Sequence, residues 1–217
     1  MANNRARYGF RFVRQRSGGT NLPTPIECAI ADSYQATSDG AASNVGLSVG
    51  DPVLLVSTGT VGLATTTVDV WGVIVGFKPY WNGTTMTPAG YLPGATTGGG
   101  VIDRQSRALV VPVENNIFEC DVDENTTATT YAAYQAFIGE NVDHTCVADL
   151  TNASRPRANP KLDISGHAVT ATLGWRIVGI SQSLENEDFS GTGVKLHVMC
   201  NNIQVYDATH GYLQLGV

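Results

Sequence analysis

From residue 26 onward the chain is a series of short apolar runs, broken every 8–12 or so residues by Gly, Pro, Asn or Asp. Ile26–Ile30 alternates as a strand does. Val49-Gly50-Asp51-Pro52-Val53-Leu54-Leu55-Val56 reads as a Gly-Asp-Pro turn opening into a buried, β-branched strand. Further strands are expected at 67–70, Gly72–Phe77, Ala108–Val113, Ile117–Val122, Trp175–Ile180, Val194–Met199 and Ile203–Tyr206. One short helix fits, from Thr129 to Ile138: a Thr stands near its start, Ala fills its middle and Gly139 stops it. A Ser/Ala/Gly-rich stretch to Gly46, the span from Lys78 to Gly100 and the polar stretch from Asn152 to Pro160 read as loop or turn. The long Gly/Thr/Pro-rich span 78–100 is expected to project, with room for a short hairpin. This spacing predicts a mainly β fold, an antiparallel barrel or sandwich with an extended N-terminal arm and at most one or two short helices.

The arm has its own pattern. Tyr8, Phe10 and Phe12 share one parity, and Arg7 and Arg11 lie on the other with Gly9 and Val13. Ser17-Gly18-Gly19-Thr20 follows as a joint, and Pro23 and Pro25 stiffen the approach to the body. Residues 1–24 are therefore read as a basic arm and linker, and residues 25–217 as one β-rich body.

Charge sharpens that division. Arg5, Arg7, Arg11, Arg14 and Arg16 give the first sixteen residues +5 with no acid; the remainder sets eight basic residues against nineteen acids, −11, for a chain net of −6. An extended peptide of this kind can add to a sheet edge, its backbone bonding and its rings filling pockets. Arg5, Arg7, Tyr8, Phe10, Arg11, Phe12, Arg14 and Arg16 are the candidate partner-binding residues. The interleaved arginines and aromatics also suit nucleic acid. The acidic body argues against it, and an acidic protein surface is the favoured partner.

Composition narrows the rest. Hydrophobic residues at 42% support a packed core, while no apolar run approaches the length that spans a bilayer and the N-terminus lacks the apolar stretch of a secretory signal. A cytoplasmic origin is the expectation. With Gly at 24 residues and charged residues at only 15%, short strands joined by turns are favoured over charge-dense surface helices.

Cys28, Cys120, Cys146 and Cys200 lie far apart and read as free thiols, three of them in strand-like apolar surroundings or beside them. His144, His167, His197 and His210 are scattered, with His197 facing away from Leu196 and Val198. Asp121, Asp123 and Glu124, and Glu185, Glu187 and Asp188, read as solvated turns rather than calcium loops. Gly98-Gly99-Gly100 is followed by no helical pattern that would make it a phosphate cradle. No nucleotide fingerprint, nucleophile elbow or singled-out carboxylate pair is present, so the expectation is a non-enzyme with neither cofactor nor metal.

A resemblance runs along the body. Gly50-Asp51-Pro52-Val53, Gly72–Phe77 followed by Tyr80, Ala108–Val111, Asn116–Val122, Ile138-Gly139-Glu140-Asn141, Leu162-Asp163, Arg176–Ile180, Val194-Lys195-Leu196 and Asn201-Asn202 occur in an order and spacing similar to the tailed-phage capsid cement, or head decoration, proteins. The arm is longer and more basic than in that family, and Asn202 stands near where its members often carry a His. The resemblance implies a β-rich subunit, a homotrimer, seated on the outside of the virion where copies of the major capsid protein meet. The alternatives are another virion component, such as a head-fibre base or tail protein, and a nucleic-acid-binding protein acting through the arm.

Overall fold

Along the central strands odd and even positions part company. Phe118, Cys120 and Val122 are buried in one apolar cluster, while Glu119 and Asp121 point the other way. A computed structural model describes residues 9–21, 23–30, 47–55, 59–64, 69–81, 86–87, 91–92, 107–123, 128–149, 157–183, 186–190, 193–205 and 213–216.

Their elements are β1 (Arg11–Gln15), β2 (Ile26–Ala29), β3 (Leu47–Ser48), β4 (Pro52–Leu55), β5 (Val61–Leu63), β6 (Gly72–Phe77), β7 (Tyr80–Trp81), β8 (Met86–Thr87), β9 (Tyr91–Leu92), β10 (Arg107–Pro112), β11 (Asn116–Asp121), α1 (Tyr131–Ala136), β12 (Asn141–Asp149), β13 (Arg157–Ala168), β14 (Trp175–Ile180), β15 (Lys195–Cys200), β16 (Asn202–Val205) and β17 (Leu213–Gly216). A six-stranded sheet runs β1-β11-β15-β14-β12-β13 and a five-stranded sheet β2-β10-β6-β4-β5, with every strand pairing in them antiparallel. The fold is mainly antiparallel β, arranged as a sandwich rather than a closed barrel.

Two apolar clusters hold the layers together. The first joins Phe118, Trp175, Ile177, Leu196 and Val198 of the larger sheet to Val73 and Val111 of the smaller. The second, with Val53, Val61, Ile74 and Val110, lies on the other face of the smaller sheet. That sheet is therefore apolar on both faces, which explains the unbroken hydrophobic runs of β6 and β10. A parallel bridge, Ile30 with Val61, brings its two edges together around the second cluster. Gly72 is required by close approach: a Cβ there would overlap the side chain of Val110 and stand 2.9 Å from the Val111 carbonyl oxygen.

Several sequence expectations change. Residues 10–16 do not form a separate arm. β1 pairs with β11 as the terminal strand of the larger sheet, and Phe10, 2% exposed, belongs to the first cluster. The boundary drawn between arm and body thus falls too late for these residues, because two aromatic side chains on one strand face gain more from the chain's own core than from solvent. Asn152–Pro160, read as a turn, contributes residues 157–160 to β13, which pairs with the unforeseen β12. Residues 67–68 and 31–46 lie outside the described residues, as do most of 78–100. Within the latter, β7 and β8 form the short hairpin, and β9 ties back to β3. The helix appears as α1, its N-cap Thr130 accepting from the Ala133 N–H. The cysteines are free.

Candidate partner-binding strand

Phe10 anchors the N-terminal segment. Its ring stacks on Trp175 with centroids 4.1 Å apart and planes 19° from parallel, and meets the edge of His144 at 5.9 Å. His144 is fixed in turn. Trp175 Nε1 donates to its Nδ1 at 3.2 Å, so Nε2 carries the proton and donates to Ala64 O at 2.9 Å; burial pushes its pKa down and keeps it neutral. Two residues on, Phe12 sets its ring edge-on to Phe118 at 6.2 Å.

A bulge at Val13 then reverses the strand's parity. The register steps from Phe12 opposite Phe118 to Arg14 opposite Ile117. Without it Arg14, an even position like Phe10 and Phe12, would face the core. With it, Arg14 joins Arg11 on the outer face and both are exposed, as is Arg16. Arg14 and Arg16 make no ion pair among the described residues, and no further strand pairs with the outer edge of β1 among them, although the turn after it caps Gln15, whose N–H donates to Gly19 O at 2.6 Å and whose carbonyl accepts the Gly18 N–H at 2.9 Å. Beside this end of the strand a groove of about 760 Å³ runs between Arg16, Pro23, Pro112 and Asn115. Arg5, Arg7 and Tyr8 lie outside the described residues.

Arg11 is committed within the chain. Its Nη2 donates to Glu119 Oε1 at 2.8 Å, and Ser181 Oγ donates to Oε2 at 2.5 Å. His197 Nε2 stands 3.7 Å from Oε2, an ion-pair rather than a hydrogen-bond distance, and is the cross-strand neighbour of Glu119. Burial alone would raise the pKa of this carboxyl. His197 and Ser181, then the charge of Arg11, outweigh it and hold the group at about 2.

Two positions along the strand the balance reverses. Asp121, opposite the buried Lys195, is pushed up to about 7 by burial, against the pull of Lys195 and with the added repulsion of Glu119. Asp121 and Asp123 are thus buried groups of the sheet and not the solvated turn the sequence suggested, whereas Glu187 is exposed. His197 does face away from Leu196 and Val198, as its position in the strand requires. Glu119, Ser181 and Lys195 were not singled out from the sequence, because their convergence depends on the pairing of β11 with β15 and on the segment after β14.

No family model, curated protein or solved structure matches this chain. The chemistry of the site must therefore speak for itself. Among the described residues no cluster of three or more His, Cys, Asp or Glu side chains is placed to hold a metal ion, and no helix is long and apolar enough to cross a membrane. What the strand offers is a terminal position in the sheet beside guanidinium groups that make no ion pair among the described residues, suited to an extended, acidic protein segment.

The Glu119 network yields a stability prediction. Replacing Glu119 with Gln is expected to cost about 1–2 kcal/mol at neutral pH, discounted because the Arg11 side chain is 64% exposed. A folded-state pKa below the ordinary value means this stability is present above about 4.5 and is lost as pH falls through about 2. Urea midpoints of the two proteins should accordingly converge in acid.

Proposed function

We propose that this chain is a structural virion protein that seats on the outside of a phage capsid and stabilises the shell by bridging capsid subunits. The single observation that carries the attachment is the terminal position of β1, with no strand on its outer side among the described residues and with Arg14 and Arg16 turned outward and in no ion pair among them. The phage assignment rests on the resemblance. Most of its quoted segments fall on or beside the strands β4, β6, β10, β11, β13, β14 and β15, the frame of both sheets, while Ile138-Gly139-Glu140 lies in the connection from α1 to β12. In this reading the partners are the major capsid protein and two further copies of the chain. Weak contacts repeated across a symmetric shell add up through effective concentration. No enzymatic step and no cofactor is invoked.

The test has to separate attachment from folding. Deleting residues 1–16 would remove Phe10 and β1 and so damage the body itself. Reversing Arg14 and Arg16 to Glu leaves the core untouched, since both side chains are exposed. The double variant should keep its circular dichroism spectrum and lose roughly 10- to 100-fold in affinity for undecorated capsids, with the wild-type affinity falling as salt rises. Undiminished coating by the double variant would remove the proposed role of the edge. Absence of the chain from purified particles would end the virion reading, a low copy number would point to a tail or fibre component, and salt-sensitive retention on DNA through the arginines would point to nucleic acid.

A further inference from the structure

The root of the N-terminal segment rests on a turn that contains a fully buried carboxyl group. Asp51 is 0% exposed; its Oδ2 accepts from the Ser48 N–H at 2.7 Å, and its buried Oδ1 has no hydrogen-bond partner. In the same turn Asp51 N donates to Ser48 O at 3.2 Å, Gly50 takes a φ of +96°, and Gly50 N donates to Ile74 O at 2.8 Å. The Gly50 carbonyl accepts the Phe10 N–H at 2.9 Å. Gly9, at φ +61°, packs so closely that a Cβ would stand 2.6 Å from Gly50 O. One four-residue turn thus holds both the acid and the first anchor of the strand.

We propose that Asp51 is a proton-operated latch for the N-terminal strand: protonated, it lets the turn at 48–51 close and hold Phe10, and ionised, it drives that turn open to water and frees the root of β1.

The surroundings offer a charge at Asp51 little help. From β12 come Cys146, whose thiol burial and then the nearby Asp51 push up to about 12, and His144, held neutral. Cys120 on β11, beside Pro160, is likewise raised by burial. The turn's other neighbours, Gly9, Phe10, Ile74 and Pro160, carry no ionisable side chain. Arg11 is engaged with Glu119 on the outer face. Among the described residues one N–H, from Ser48, is the only donor to the carboxyl, and burial outweighs it, raising the pKa to about 8.

Opening exposes the carboxyl, whose ordinary value is 3.8, so the closed state keeps a proton that the open state has lost across the range from about 4 to about 8. The open population therefore rises about tenfold per pH unit through that window and levels off above it.

This latch does not depend on the capsid reading. It is tested on the full chain by amide hydrogen exchange at Phe10, whose N–H is the bond that opens. Base-catalysed exchange alone gives about tenfold per pH unit. The wild type should show about a hundredfold per unit between pH 5 and 8, and Asp51→Asn the plain tenfold. Asp51→Ser removes the acid without adding bulk and gives the same comparison should the Asn variant fold poorly. The proposal is overturned if the wild type shows no excess slope, if the variants share its slope, or if the Phe10 amide is as strongly protected at every pH as core amides such as that of Leu196, which would mean that it opens only by global unfolding and not through a latch.

Discussion

Truncating Phe10 to Ala should lower the stability of the whole fold by about 3–4 kcal/mol, although the residue lies in what the sequence presents as a detachable arm. The ring is 2% exposed and fills the space between Trp175, His144 and the turn carrying Gly50. Its removal forfeits apolar burial and a stacked aromatic pair worth ~0.5–1.5 kcal/mol, and leaves a cavity beside two side chains already fixed to each other by a hydrogen bond. The surroundings have little freedom to collapse into it, because Gly9 and Pro160 are in contact and the Trp175 ring also meets Phe118. Phe12→Ala, at a half-buried position with one edge contact, should cost about half as much. Urea unfolding of the two variants checks this. A loss below ~1 kcal/mol for Phe10→Ala would show that β1 is not part of the cooperative core.

The strands that were legible in the sequence have an apolar neighbour on one or both faces. β6 and β10 are continuous runs because the smaller sheet is buried on both sides, and β11, β14 and β15 alternate well enough to be read. β12 and β13 were not legible. Their inward positions mix Val142, Leu162 and Ile164 with His144, Cys146 and Pro160, and their outward ones are Asp143, Thr145, Lys161 and Asp163, so the apolar alternation is interrupted along both strands. Pro160 also argues against a strand unless the strand lies at an edge, which β13 does.

The candidate site divides in the same way. Counting arginines located the basic segment, and its parity correctly paired Phe10 with Phe12. Parity alone, however, sends Arg14 inward, and only the bulge at Val13 shows that it points out. Nothing local marks Asp51 as buried. In sequence it is a turn acid like many others, and its burial is produced by Gly9, Ile74 and Cys146, which arrive from distant parts of the chain.

Asp51→Asn is expected to stabilise the protein at pH 8 by about 2–4 kcal/mol, a gain unusual for a substitution at a fully buried position. The folded-state pKa of about 8 lies above the ordinary 3.8, so the native state binds the extra proton. A native state that binds more protons loses stability as pH rises, here from about 4 up to about 8, by ~1.4 kcal/mol per pH unit. The full span would approach ~6 kcal/mol, an upper bound, since opening of the turn lets water reach the carboxyl before the whole penalty accrues. An amide in place of the acid does not titrate, and it can keep the Ser48 N–H satisfied through its oxygen. Its cost is the second amide hydrogen placed where Oδ1 already lacks a partner, ~1 kcal/mol or more. At pH 4 the wild type is therefore equal to or slightly better than the variant. The two stability curves cross as pH rises, and the variant leads by a widening margin until about pH 8. Had the native fold held Asp51 as a stabilised anion, the ordering at pH 8 would invert, with Asn the weaker protein. Urea midpoints for both proteins at pH 4, 6 and 8 distinguish the two cases by the sign of the difference.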